Sequence, residues 1–156
     1  AWIQPTSGPL FPPDLAASGI DLASLVVVHI DPKHGRRGLP RAAEILLRSG
    51  AFGLIVLDLS TQSCGKPAWQ ARLQGLARLH HSRLVALTRK RDHQDSLGPL
   101  VNLRVSPTRT PRHTPPQTTQ TGAFDGFDVL PKLLKDKSGH QNSLPPCPRR
   151  GPWGLG

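Results

Sequence analysis

The chain has 156 residues, a length that suits one domain, and it carries 20 Lys and Arg against 10 Asp and Glu, a formal net charge of +10. Hydrophobic residues make up 37%, and no apolar run approaches the length of a membrane span, so no membrane-spanning segment is predicted. The basic residues are spread along the chain, which favours a polyanionic partner or an acidic protein surface, with a basic surface that has no nucleic-acid role as the open alternative.

The first sixty residues alternate apolar runs with helix signals. Residues 1–4 predict the end of a strand, and residues 12–18, which open on two prolines, predict a short helix. The near-continuous apolar run 25–30 predicts a strand buried on both faces of a parallel sheet. Residues 39–49 predict an amphipathic helix, and a second buried strand follows over residues 52–58.

The alternation continues to residue 105. Residues 67–81 predict another helix, residues 83–88 a third strand, and the alternating run 100–105 a half-exposed or edge strand. Strands that alternate with helices predict an α/β fold, a mostly parallel β-sheet flanked by helices. We therefore expect residues 1–105 to form the core of the domain.

The composition changes after residue 105. The stretch 106–122 has no apolar residue except proline, so we expect a flexible loop rich in Pro, Thr and Arg. Residues 123–137 regain apolar character and predict a returning strand of the core. Residues 138–156 are rich in Pro, Gly and Arg and predict an irregular tail.

Two cysteines, Cys64 and Cys147, lie far apart, and no CxxC motif or Cys/His cluster surrounds either. This spacing predicts neither a disulfide framework nor a zinc site, and it favours reduced thiols in a cytoplasmic protein. No pair of histidines other than the adjacent His80-His81 has a ligand-like spacing, so we expect no metal and no cofactor.

Asp58 is the most suggestive single residue, because it ends an apolar strand of the predicted sheet. Ligands of open α/β sheets bind at the carboxyl ends of the strands, and in P-loop ATPases an acid there holds Mg²⁺. The alternative is an aspartate that binds a loop or caps a helix. The phosphate-binding motif G-x-x-x-x-G-K-[ST] is absent, and the nearest phrase, residues 63–66, has one glycine and follows the wrong strand.

Two basic clusters follow predicted strands and are candidates for contact with DNA or a protein partner. Arg89, Lys90 and Arg91 come directly after the strand 83–88, so we expect them at the ligand-binding edge of the sheet. Arg36 and Arg37 follow the strand 25–30. The alternative for each cluster is a solvated face without a partner.

The order and spacing of several phrases resemble the core of the RecA-like superfamily. Those phrases are residues 1–4, 21–27, 42–51 and 54–58, and the most specific is LLRSGAFGLIVLDL at residues 46–59. The resemblance spans residues 1–137 and is densest through residue 60. It implies a RecA-like α/β fold, truncated at its N-terminus so that the phosphate-binding loop is missing, in which Asp58 corresponds to the Walker B aspartate.

The resemblance also implies a nucleotide site that has lost its catalytic groups. Thr6 and Ser7 stand where the superfamily carries a catalytic glutamate, and Thr88 replaces a glutamine that senses nucleotide. Lys135 and Lys137 resemble lysines that reach the ATP of a neighbouring subunit in RecA filaments. The pattern implies that the protein is not an enzyme.

Within that superfamily, a divergent chain rich in Pro and Arg is most similar to the ImuA family. This similarity implies a cytoplasmic accessory protein of SOS-induced DNA repair and translesion-synthesis mutagenesis that binds RecA, an ImuB-like polymerase homologue, or both. The alternatives are a basic module that binds single-stranded or double-stranded DNA, a RecA paralogue whose upstream residues supply ATP binding, and a more distant relationship to the SulA division inhibitors. Self-association into a homo-oligomer is a further open alternative.

Overall fold

The computed structural model describes residues 1–61, 68–113, 124–139 and 145–150. The chain divides into two compact units, Ala1–Arg91 and Asp92–Gly156, and each is described by itself. Asp58 and the cluster Arg89–Arg91 belong to the first unit. Of the helices in the described ranges, none is both long and apolar enough to cross a membrane.

The first unit is a parallel sheet with helices. Its described elements are β1 (Trp2–Pro5), α1 (Pro12–Ala17), β2 (Val27–Ile30), α2 (Gly38–Ser49), β3 (Leu54–Asp58), α3 (Ala68–Leu79) and β4 (Arg83–Leu87), with 3-10 segments at Leu22–Ser24 and Pro32–Arg37. The strand order is β2-β1-β3-β4, and every neighbouring pair is parallel. The predicted α/β fold with a parallel sheet flanked by helices is therefore confirmed at this level.

Helix α2 shows how the sequence specifies these elements. Its apolar residues recur at helical spacing, so that Leu39, Ala43 and Leu47 are buried along one stripe. Gly50 ends the helix in the left-handed conformation, with φ of 66°, and its N–H donates to the carbonyl of Leu47. The observed bounds agree with the helix predicted over 39–49.

The core of the first unit lies between the helices and one face of the sheet. Helices α2 and α3 pack against each other, and α2 also packs on β1 and β3. Ile3, Ile55 and Leu57 point towards these helices and are fully buried. Leu73 and Ala77 of α3 complete the layer with the buried stripe of α2.

The opposite face and the outer strands differ from the sequence-based prediction. Residues 25–30 were expected to form a strand buried on both faces, yet β2 is half-buried with an exposed His29. The strand predicted at residues 83–88 is present as β4, and it is mostly exposed. β2 and β4 are the edge strands of the described sheet, and α2 and α3 pack together on one of its faces, so these strands are less covered than the central ones. A continuous apolar run does not reveal which strands become edges.

The second unit corrects the prediction for the rest of the chain. Its described strands are β5 (Leu103–His113), β6 (Phe124–Asp136) and β7 (Cys147–Arg150), and they form an antiparallel sheet in the order β5-β6-β7. Residues 100–105 and 123–137 were expected to join the parallel core, but their strands pair with each other instead.

The predicted loop 106–122 was wrong over residues 106–113, and the predicted irregular tail 138–156 was wrong over residues 147–150. Residues 106–113 continue β5, and β7 lies within the predicted tail. Alternating threonines favour a pleated strand, and Pro107 and Pro111 are accommodated because β5 is an edge strand. Residues 114–122, 140–144 and 151–156 lie outside the described residues.

Glu44 of α2 joins the two helices through its carboxylate. Arg48 of the same helix donates to Oε1 at 2.8 Å from Nη2, and Arg72 of α3 donates to Oε2 at 3.2 Å from Nη1. The Arg72 hydrogen bond is the largest influence that lowers the pKa of the Glu44 carboxyl below its ordinary value, and Arg48 adds to it. Through the hydrogen bond from Arg72, the Glu44 carboxylate therefore links α2 to α3.

We expect Glu44→Gln to lower the midpoint of thermal unfolding at neutral pH and to have no effect in acid. Because the folded pKa of Glu44 is lowered, its contribution is complete above the unfolded value of about 4.3 and is lost as the pH falls through the folded pKa. The measurement is a pH series of thermal melts for both proteins. Arg72→Gln and the double variant are the controls. If the losses of thermal stability in Glu44→Gln and Arg72→Gln at neutral pH simply added up in the double variant, this role of Glu44 would be contradicted.

Candidate functional site at the carboxyl edge of the parallel sheet

A cleft of about 380 Å³ opens at the carboxyl ends of β3 and β4. Apolar side chains from β1, β4 and the segment that contains α1 form much of its lining: Trp2, Pro9, Leu10, Phe11, Leu15 and Leu87. Asp58 adds a polar group at the end of β3, and Ser60, Thr88 and Arg89 add others from the loops that follow β3 and β4. Asp14 adds one from α1. The fold therefore brings three of the predicted site residues, Asp58, Thr88 and Arg89, to one cleft.

Asp58 is only 2% exposed, and its carboxylate holds the turn that follows β3. Oδ1 accepts a hydrogen bond of 2.9 Å from the backbone N–H of Ser60. This local bond from residue i+2 is the loop-binding role that an aspartate commonly plays at a strand end. Among the described residues, no other hydrogen bond to Asp58 is found.

Two further polar atoms of the cleft residues are buried without a hydrogen-bond partner in the described part of the chain. They are the indole Nε1 of Trp2 and the hydroxyl Oγ of Ser60. Buried polar groups are normally paired, so these atoms mark the cleft as a place where a bound group could supply hydrogen bonds. Sequence reasoning missed both residues.

Thr6 and Ser7 follow β1 and are exposed. Their loop folds back over Gln4, a buried polar residue that is 2% exposed and whose Oε1 accepts from the N–H of Leu10 at 3.3 Å. Neither hydroxyl lines the cleft beside Asp58. A glutamine within an apolar strand was the available sequence signal for this arrangement.

We expect Gly8→Ala to destabilise the first unit by about 1–3 kcal/mol through overpacking. A Cβ at Gly8 would lie 2.3 Å from Oε1 of the buried Gln4, so the amide would have to move and release the N–H of Leu10. Denaturant unfolding measures the change. Gly75→Ala is the control: Gly75 is exposed in α3 with nothing near an added Cβ, and we expect stabilisation of about 0.5–1 kcal/mol there. Equal effects at both positions would contradict the close packing of Gly8 on Gln4.

The two predicted basic clusters lie at opposite ends of the carboxyl edge. Arg89, Lys90 and Arg91 follow β4 and are exposed, while Arg36 and Arg37 end the 3-10 segment that follows β2. The edge strands β2 and β4 are separated by β1 and β3, a span of about 14 Å at ordinary strand spacing. The exposed Arg37 therefore follows one edge strand and the cluster Arg89–Arg91 follows the other, with the buried Asp58 between them.

Lys135 and Lys137 belong to the second unit, and their described contacts lie there. The amine of Lys135 donates to Oγ of Ser96 at 3.3 Å, and that of Lys137 donates to the carbonyl of Pro99. Lys135 lies in β6 opposite Arg104, and Lys137 follows the end of that strand. These contacts assign the two lysines a role inside the antiparallel unit.

No group of three or more His, Cys, Asp or Glu side chains in the described ranges could hold a metal ion. Cys147 is exposed as a free thiol in β7, and Cys64 lies outside the described residues.

Comparisons of the chain with protein-family models, with curated proteins and with solved structures find no match. The function must therefore be inferred from the residues of the carboxyl edge and from the exposed surfaces of the sheet.

Proposed function

We propose that this protein is a non-catalytic, RecA-like accessory protein of SOS-induced DNA repair and translesion-synthesis mutagenesis, and that it acts in the cytoplasm by binding other proteins. The proposal rests on the residues present at the carboxyl edge of the parallel sheet. Asp58 is retained but is buried and bonded to the turn at Ser60, while Thr6 and Ser7 offer no carboxylate that could activate water. A sheet with this edge is suited to scaffolding.

The partners we propose are RecA and an ImuB-like polymerase homologue. Support comes from the resemblance of residues 46–59 to the strand that leads into the Walker B aspartate, and from the parallel order of β1, β3 and β4 around it. A positive surface is suited to an acidic protein partner. The first unit has 12 Lys and Arg against five Asp and Glu.

The test is direct binding of the purified chain to purified RecA and to a purified ImuB-like protein, measured by biolayer interferometry. We expect saturable binding to at least one of them, unchanged by ATP or its removal. A chain that bound neither protein would overturn the proposal. ATP turnover by the chain above the buffer background would overturn the non-catalytic part alone.

A second candidate function is direct DNA binding, which the exposed cluster Arg89–Arg91 favours. Phosphate contacts release counterions, so affinity for a duplex should fall steeply with salt. We expect Ala at all three positions to reduce the slope of log K against log salt by about 2–3 if the cluster contacts phosphates.

Fluorescence anisotropy with labelled single-stranded and double-stranded DNA measures this slope. The matched control replaces Arg41 and Arg78, exposed residues of α2 and α3, and should change the slope less. Absence of binding at low salt would remove DNA as a partner and leave the protein-binding proposal in place.

A further inference from the structure

The face of the parallel sheet that points away from α2 and α3 carries apolar side chains that are partly or largely exposed. We call it the open face, and define it by five residues that the strand register places on one side: Trp2, Leu54, Val56, Val85 and Leu87. Leu54 is 47% exposed, Val85 is 42% exposed and Leu87 is 36% exposed. Ile55 and Leu57 alternate with them along β3 and are fully buried on the helix side.

Parallel sheets are usually covered by helices on both faces, because their strands are apolar on both sides. Of the described elements, α1 borders the open face at its carboxyl end, where Phe11 and Leu15 line the cleft with Trp2 and Leu87. Leu54 and Val85 do not line that cleft and stay accessible. An exposed apolar patch of this kind usually marks an interaction site.

We propose that the open face binds an amphipathic helix of a partner protein, with an apolar stripe against the sheet and acidic residues along its flanks. The inference rests on the proposed function and names its protein-binding surface. β3 and β4 each have five residues, which span about 16 Å, the length of a helix of about 11 residues. Helices α2 and α3, of 12 residues each, cover the other face in this way.

The charges around the open face select the chemistry of that helix. Arg83 lies opposite Leu54 at the amino end of β4 and is exposed, and Arg89 is exposed beyond its carboxyl end. Of the described residues that line the cleft beside this face, the acidic ones are Asp58, which is buried and bonded to Ser60, and Asp14 of α1. A helix with acidic flanks therefore pairs with the arginines, whereas DNA offers no apolar stripe for the leucines and valines.

The probe is a fluorescein-labelled peptide of about 14 residues with a leucine stripe and glutamate flanks, and its twin has lysine in place of glutamate. We expect the glutamate peptide to bind the intact chain, and the lysine peptide to bind at least about tenfold more weakly. The double variant Arg83→Glu with Arg89→Glu should reverse that preference. Equal binding of both peptides would overturn the charge assignment and the proposal.

Val85→Glu should weaken binding of the glutamate peptide by at least about tenfold, because it places a charge in the centre of the apolar surface. Leu79→Glu is the matched control, since Leu79 is 70% exposed on α3 and lies away from this face. Val85→Thr keeps the strand propensity and tests the same point if the glutamate variant does not fold. Wild-type affinity in a folded Val85 variant would overturn the proposal.

Sedimentation velocity tests the remaining alternative, in which a second copy of the chain covers the open face. A dimer that Val85→Thr dissociates, together with no binding of the glutamate peptide, would overturn the helix in favour of self-association. Failure of this inference can also be distinguished from failure of the proposed function. If the peptide binds as expected but RecA and the ImuB-like protein do not, the open face remains a binding surface and the identity of the partners is wrong.

Discussion

Leu57→Ala is expected to lower the free energy of unfolding of the first unit by about 2–5 kcal/mol. Leu57 is fully buried on the helix side of β3, the strand that lies between β1 and β4. Truncation removes apolar contacts and leaves a cavity that the neighbouring strands cannot fill without moving. Since whole domains are stable by only about 5–15 kcal/mol, the loss is a large fraction of the total.

Denaturant unfolding followed by far-UV circular dichroism measures this change, with hydrogen exchange of β3 amides as a local readout. Leu79→Ala is the matched control, because the same side chain is removed from an exposed position of α3. We expect it to change stability by less than about 0.5 kcal/mol. Similar losses at both positions would show that the burial of Leu57 does not stabilise the unit.

The elements of the first unit could be predicted from the sequence because their signals are local. The 3.6-residue period and Gly50 defined α2 to within one residue, and the apolar runs located β3 and β4. What could not be predicted was the order of the strands and the side of the sheet that the helices cover. Both depend on pairing between distant segments, which periodicity does not encode.

The second unit was missed for a related reason. Residues 106–113 contain no apolar side chain except proline, and this pattern resembles a loop when it is considered alone. The strand is stabilised by backbone hydrogen bonds to β6. In addition, the Arg109 guanidinium lies over the ring of Phe127, 5.5 Å from the ring centroid. A cross-strand partner of this kind becomes visible only when the register is known.

The candidate site was predictable in part. Asp58, Thr88 and Arg89 were identified because residues that follow parallel strands meet at one edge of the sheet. Trp2 and Ser60 were not, since their involvement depends on buried atoms that lack partners among the described residues. The lysines at 135 and 137 were assigned by resemblance, and their contacts lie in a different unit.

Asp58→Ala is expected to destabilise the first unit by about 1–3 kcal/mol, because it leaves the part-buried N–H of Ser60 without its acceptor. Asp58→Asn keeps an acceptor oxygen at the same position and should cost less. Thermal and denaturant melts of the three proteins measure the order of stability. We expect the wild type to be the most stable, Asp58→Asn to be intermediate and Asp58→Ala to be the least stable. An Asn variant as unstable as the Ala variant would show that the negative charge, and not the hydrogen bond, holds the turn.

The same variants separate a structural aspartate from a ligand of Mg²⁺. A Walker B aspartate that holds the metal should make the melting temperature rise with Mg²⁺·ATP in the wild type only, by mass action on the folded state. We expect the shift to be equal in the wild type and in Asp58→Asn, because the carboxylate already bonds the backbone of Ser60. A shift confined to the wild type would assign nucleotide binding to this edge and would require the scaffold proposal to include it.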